Sequence, residues 1–324
     1  MRLCTAALAV CLTAVAAPAF CQTGSAETYP AKPIHIVVGY APGGGLDIVA
    51  RLTGAKMQEA WGKAVVIDNK PAANAMLGLE FVSKAAPDGY TLLMHANSGM
   101  SMNPFLYSKL PYDPVKDFTP ISVLGIQPLV VAVHASQPFR SLQDLIDYAK
   151  ANPGKLNYSV GATTFDVASE MFKQMAHVDL SRISYKGSGP AAAAVASGEV
   201  QMAIIDSVAV MGYIKSGRLR ALAVTTAKRL DQLPGVPTVM EAGVAGYEMV
   251  VTIGMFAPAA VPRDIVNKVY GEIARIIRMP DMRDKLVGMG LDPVGYGPEE
   301  TAAMIKSETV KFGPIIKAAN MKLE

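Results

Sequence analysis

Three short turns carry the residues best able to do chemistry. Gly43-Gly44-Gly45 follows an apolar run at 34–38 and precedes a helical pattern with Asp47 near its start. Gly161-Ala162-Thr163-Thr164 precedes a second helix, with Asp166 at its start. Gly187-Ser188-Gly189-Pro190 precedes a third, with Pro190 suited to the first helical turn. Glycine lets backbone approach a ligand closely, and the N–H groups and dipole of a helix N-terminus attract negative charge. The chemistry of such a set is anion binding by neutral N–H and O–H donors. A carboxylate satisfies them without an arginine. Each turn alone is better read as structure, and Asp47 and Asp166 alone as helix caps. Three such turns facing one cleft read as a site.

Signatures of catalysis are missing. The first loop is neither G-x-G-x-x-G nor a P-loop, and neither G-x-S-x-G nor S-x-x-K occurs. His35, His95, His134 and His177 are scattered, with no pair at metal-ligand spacing. His95 and His134 end apolar runs and read as structural. No catalytic residue, cofactor or metal is expected, so the chain does not read as an enzyme. Asp206 follows the apolar run 202–205, where it caps a helix or reaches a ligand amine or hydroxyl. Met100 and Met102 lie in a stretch at 97–103 read as a loop; they fill a lobe interface or form an adaptable wall for an apolar ligand body.

The elements that position these turns alternate. Strands are expected at 34–38, 64–67 and 91–95, with helices between them, which argues for a parallel sheet covered on both faces. Two further strands, 120–125 and 129–134, follow. A helix at 141–151, with Ser141 as its N-cap, opens a second alternating set with strands at 156–159, 183–185, 201–205 and 219–225. A strand at 247–256 leads to helices at 265–277, 282–289 and 298–312. The last part has too little strand to stand alone, so it is expected to rejoin the first set. Two crossings, near 120–130 and 245–255, then join two α/β lobes. Such a molecule suits hinge closure on a ligand. The lobes are expected at 27–125 with 250–324, and at 126–249.

The chain has 324 residues, 51% of them hydrophobic and 18% charged, enough for two ordinary domains. A net charge of +3 without a basic run excludes a nucleic-acid surface. Residues 1–26 read as a secretory signal peptide: Arg2, an apolar core, then Ala17-Pro18-Ala19, with cleavage expected after Ala19 or nearer Ala26. Of Cys4, Cys11 and Cys21, at most Cys21 survives processing, which leaves no internal disulfide.

At these residues the sequence resembles the periplasmic substrate-binding proteins of tripartite tricarboxylate transporters, the Bug family. The resemblance runs over the whole mature chain and rests on YPAKPIHIVVGYAPGGGLDIVAR, PDGYTLL, NPFLY, YKGSGPA, LPGVPTVMEAG and GMFAPAAVP together. It implies a two-lobed α/β periplasmic-binding-protein-like fold, each lobe a mainly parallel sheet with flanking helices. It further implies a periplasmic monomer that closes on a small carboxylate, dicarboxylates and aromatic carboxylates included, and delivers it to membrane permease subunits. Carried across by motif, the ligand-binding residues are Tyr40, Ala41, Gly43, Gly44, Asp47, Ser98, Thr163, Thr164, Gly187 and Asp206. The sequence departs from the family pattern at Leu46, where a small hydroxyl residue is frequent. It departs again at Asp166, where histidine is common, and at Thr252, where an aromatic is expected. These changes are expected along the distal part of the pocket. The same fold also suits a sensor subunit presenting its ligand to a membrane signalling partner.

Overall fold

The computed structural model describes residues 28–72, 75–318 and 321–322. The expected signal peptide and all three cysteines lie outside them.

The chain opens with β1 (Ile34–Val38), α1 (Gly45–Trp61), β2 (Val65–Asn69), α2 (Met76–Ser83) and β3 (Thr91–Ala96). β1 pairs with β2 and β3, both parallel. Its β-branched residues explain its central place: Ile34, Ile36, Val37 and Val38 are all fully buried. Two short helices follow, α3 (Asn97–Ser101) and α4 (Asn103–Leu106), where a loop was expected. Asn, Ser and Gly are poor helix formers, but here tertiary contacts decide. Tyr112 Oη donates to Gly99 O at 2.7 Å and accepts from Asn103 Nδ2 at 2.8 Å. Ser101 Oγ bonds back to Asn97 O at 2.8 Å.

β4 (Phe118–His134) is one strand of 17 residues rather than the two expected. Its first part, through Pro128, pairs antiparallel with β9 (Val250–Pro258). From Leu129 it pairs with β7 (Met202–Asp206) and β8 (Leu219–Val224) instead. Pro128, which has no N–H to donate, sits where the strand changes neighbours; that proline made the sequence look broken.

The second set contains α5 (Leu142–Ala151), β5 (Asn157–Val160), α6 (Thr163–Ala176), β6 (Ser181–Ser184), α7 (Ser188–Ser197), β7, α8 (Ser207–Lys215) and β8. The N-cap at Ser141 is confirmed as a capping box, with Ser141 Oγ accepting from Asp144 N at 3.1 Å. β5 pairs parallel with β6 and β7. After β9 come α9 (Arg263–Arg278), α10 (Pro280–Gly288), β10 (Asp292–Tyr296) and α11 (Pro298–Ala318). β9 pairs with β3 and β10 with β4, so the C-terminal part does rejoin the first sheet. α8 follows Asp206, its N-cap, as one of the two readings of that residue required, whereas β10, which carries proline and glycine, was not foreseen.

The result is two α/β lobes joined by two crossings. The outer strands of each sheet are parallel, and the crossing strands β4 and β9 add antiparallel pairs, so each sheet is mixed. One side chain fastens the crossings together. Thr225 Oγ1 donates to Met249 O at 2.6 Å and accepts from Leu129 N at 3.0 Å. Its backbone completes the junction: Thr225 N donates to Leu129 O, and Met249 N to Thr225 O, each at 3.0 Å.

Thr225→Val keeps the shape but leaves the Leu129 N–H and the Met249 carbonyl without the hydroxyl. It is expected to destabilise the protein by about 1–3 kcal/mol in denaturant unfolding. A loss below about 0.5 kcal/mol would remove the hydroxyl as the fastening of the crossings.

Candidate functional site

Four helices begin around one small cavity. α1 supplies Gly44, Leu46 and Asp47; α6 supplies Ala162, Thr164 and Phe165; α7 supplies Ser188; and Asp206 is the N-cap of α8. Tyr40, Ala41, Ala96, Gln127 and Val251 complete the wall. The first N–H groups of a helix have no partner within it, so this convergence presents backbone donors and positive dipole ends to one point. Among the described residues, no lysine, arginine or histidine lines the cavity. Its volume is about 20 Å³, room for a water-sized group or a carboxylate head.

The halves touch directly across it. Ala41 N donates to Lys186 O at 2.9 Å. A Cβ on Gly44 would strike Ser188 Oγ; one on Gly189 would lie 2.9 Å from Pro42 O and 3.0 Å from the Gly43 carbonyl carbon. Gly187 is held at φ 137°, a conformation open to glycine, where its backbone lies against Ala41. The three turns therefore meet, as their sequence suggested.

The individual residues divide into three groups. Tyr40 Oη, Ser98 Oγ, Thr163 Oγ1, Thr164 Oγ1 and Asp206 Oδ2 are buried polar atoms with no aligned hydrogen-bond partner. Tyr40 Oη lies beside Ser98 and the Thr163 backbone. All five are expected site residues; Tyr40, Thr164 and Asp206 line the cavity, whereas Ser98 and Thr163, like Gly43 and Gly187, are not on its wall. A buried polar group left without a partner is expensive unless something else pairs with it. Gly44 lines the cavity through backbone. Ala41, Gly43 and Asp47 instead hold the turn together. The Ala41 N–H is taken by Lys186, and Gly43 N donates to Asp47 Oδ2 at 3.0 Å.

Asp47 is neither the N-cap, which is Gly44, nor an open ligand contact. Arg51 and Asn69, both unforeseen, occupy its carboxylate: Arg51 Nε at 3.0 Å, Arg51 Nη2 at 2.9 Å and Asn69 Nδ2 at 3.0 Å. Burial pushes its pKa up, but these bonds and the Gly43 N–H outweigh burial and hold it below the ordinary value. Asn69 also donates to Tyr40 O at 3.0 Å. Asp47 thus sets the shape of the 40–44 turn. Gln127, also missed, donates to Asp206 Oδ1 at 2.8 Å. Its one sequence signal was a lone amide inside an apolar run.

A family model described as the tripartite tricarboxylate transporter family receptor matches residues 49–321. The chain belongs to this family. It is 36% identical over 293 residues to a protein encoded in the tcbD–tcbE intergenic region of Pseudomonas sp. strain P51, covering 90% of this chain and 87% of that one. Among solved structures, R. palustris Rpa4515 with adipate is 33% identical, with a TM-score of 0.88, covering 91% of this chain and 99% of that one. The periplasmic binding protein BugD is 29% identical, with a TM-score of 0.88, covering 91% and 100%. The family consists of periplasmic solute receptors, not enzymes. No described helix of this receptor is long and apolar enough to cross a membrane.

Two of the receptor's departures from the family pattern lie off the cavity. Asp166 is buried and held by Arg182, whose Nε lies at 2.9 and 3.0 Å from its two oxygens and whose Nη2 lies at 2.8 Å. Thr252 points away because residues alternate across a strand: its neighbour Val251 lines the cavity, while Thr252 Oγ1 meets Glu308 at 3.4 Å. Leu46 does line it, as do the apolar Phe165 and Val251. Met102 is fully buried and Met100 lines an outer groove beside α11; neither lines the cavity. His95 is structural. Its Nδ1 donates to Ala96 O at 2.7 Å, and burial lowers its pKa to about 4, so it is neutral.

Glu308 anchors the α3 segment from behind, accepting from Asn97 Nδ2 at 3.0 Å and Ser101 Oγ at 3.4 Å. Burial raises its pKa to about 7, against the pull of those donors, Thr252 and Lys311. Folding favours its neutral form. That contribution is whole below the ordinary glutamic acid pKa and is lost as pH rises through about 7. Relative to Glu308→Gln, the native receptor is therefore expected to lose up to about 3 kcal/mol between pH 4.5 and pH 8. Parallel pH profiles of unfolding for the two proteins would contradict this.

Proposed function

We propose that this receptor captures a small carboxylate with an apolar body in the periplasm. It hands the ligand, as a monomer, to the permease subunits of a tripartite tricarboxylate transporter. The observation that carries the reading is the convergence of four helix N-termini and unpaired hydroxyls on a cavity without a cationic side chain. Neutral donors of this kind suit a carboxylate head, which accepts several hydrogen bonds at once. The adipate in the R. palustris relative supports the class. The apolar side chains of Leu46, Phe165 and Val251 in the cavity wall suit a hydrocarbon or ring. A body longer than the head needs the lobes to part, and the β4 and β9 crossings provide the hinge.

Thermal shift against short and long dicarboxylates, hydroxy-acids and aromatic acids tests this. A true ligand at one hundred times its Kd stabilises the folded form by about 2.7 kcal/mol, with Tm rising as ligand is added. No rise with any member, and no acid carried through purification, would contradict the proposal.

The Thr163→Val/Thr164→Val variant separates site from scaffold. Its hydroxyls have no protein partner, so unfolding free energy is expected to move by less than about 1 kcal/mol. Affinity for the best ligand is expected to fall at least tenfold, or about 1.4 kcal/mol. Unchanged affinity would remove these hydroxyls from the site.

A further inference from the structure

The cavity holds one carboxylate whose charge is not compensated. Asp206 is 2% exposed. Its Oδ1 is used twice, accepting from Gln127 Nε2 at 2.8 Å and from Ala209 N at 2.9 Å. Its Oδ2 is buried and has no aligned partner. Ser188 is the nearest hydroxyl acting on it.

The surroundings supply no cation. β4 presents the neutral Gln127 and α7 the neutral Ser188. α1 presents Asp47, which is already engaged by Arg51. The turn before α1 presents Tyr40, whose phenol burial keeps protonated. Lys215, at the far end of α8, bonds to Gly288 O at 3.4 Å. A ligand carboxylate entering here would meet Asp206 as a second anion in a site of low dielectric. Two carboxylates at such a place share a proton rather than both ionise.

We propose that Asp206 is a proton-carrying ligand contact: Oδ2 holds a proton in the complex and donates it to the bound carboxylate. This rests on the carboxylate reading above and adds a proton to its stoichiometry. The balance is one ligand carboxylate, one Asp206 carboxylate and one proton from solvent, giving a neutral carboxylic acid hydrogen-bonded to a carboxylate. No covalent bond changes other than the O–H formed on Asp206. The direction of the Asp206 shift agrees: burial raises its pKa against the bonds from Ser188, Ala209 N–H and Gln127. The consequence is selective. A ligand without a donor of its own requires the proton, and its affinity falls once pH exceeds the value at which free Asp206 ionises.

The experiment uses the full mature receptor with adipate, succinate and benzoate, none of which carries a hydroxyl or ammonium group. Carbon NMR of protein labelled at the aspartate carboxyl carbon is recorded on the complex at pH 8, with the Asp206 signal assigned by its loss in Asp206→Asn. The signal is expected at the position of a carboxylic acid. A carboxylate signal in the complex would overturn the proposal.

Calorimetry from pH 6 to pH 9.5 gives the second readout. In the native receptor Kd is expected to rise towards tenfold per pH unit beyond the ionisation of free Asp206. Asn keeps the acceptor for Gln127 and Ala209 and places an N–H where the acid proton was, so Asp206→Asn should lack this dependence. Glu308 is present in both proteins, so the difference between them isolates Asp206. Equal pH dependence in both, with a carboxylate signal, leaves carboxylate binding standing and sinks the proton. No binding by these three donor-free acids, where hydroxy-acids of the thermal-shift panel do bind, overturns the proton and leaves the carboxylate reading standing; no binding by any member of that panel overturns both.

Discussion

A buried polar group with no partner costs more than a hydrogen bond gains, and this receptor keeps three of them, Tyr40 Oη, Thr164 Oγ1 and Asp206 Oδ2, on residues that line one cavity. Ser98 Oγ, beside Tyr40, and Thr163 Oγ1, next to Thr164 in the chain, are likewise buried with no aligned partner. The first turns of α1, α6, α7 and α8 add backbone donors at the same place. A fold selected for stability alone would pair these groups or replace them with methyls. Keeping them makes sense where a ligand supplies the missing partner, and their donor character sets its sign. The rest of the structure serves to hold these groups in position while allowing access.

Rigidity comes from groups that do not face the ligand. Asp47, Arg51 and Asn69 fix the 40–44 turn through both carboxylate oxygens and the Tyr40 carbonyl. Glu308 fixes α3. Access comes from the crossings. β4 belongs to both sheets, and Thr225 ties it to the residue that leads into β9, so the lobes meet at a narrow junction. Close approach of backbone at Gly44, Gly187 and Gly189 lets the halves shut without side chains intervening. Rigid turns on a narrow hinge suit a receptor that must grip and then release.

Much of this was legible in the sequence because it rests on local chemistry. β-branched runs gave the parallel strands, Ser141 gave a capped helix, and glycine-rich turns marked the three places where the halves meet around the cavity. What escaped depends on contacts between residues far apart in the chain. α3 is a helix because Tyr112 and Glu308 hold it, not because Asn-Ser-Gly favours one. Asp47 reads as a cap, and its partner Arg51 is only one helical turn away on α1, but Asn69 reaches it from β2, 22 residues on. Gln127 lies beside a proline that looked like a break, yet it reaches Asp206, 79 residues further on. Thr252 and Asp166 were noticed as unusual, but only strand alternation and Arg182 show that they turn away from the cavity.

The central claim is that neutral donors, with no cationic side chain, select a negative charge. Calorimetry comparing the best-binding acid with its methyl ester, of matched shape but uncharged, tests it most directly. The account predicts that the ester binds at least one hundredfold more weakly, a difference of about 2.7 kcal/mol. An ester that binds as tightly as the acid would contradict it, because the converging helix ends would then contribute nothing to recognition.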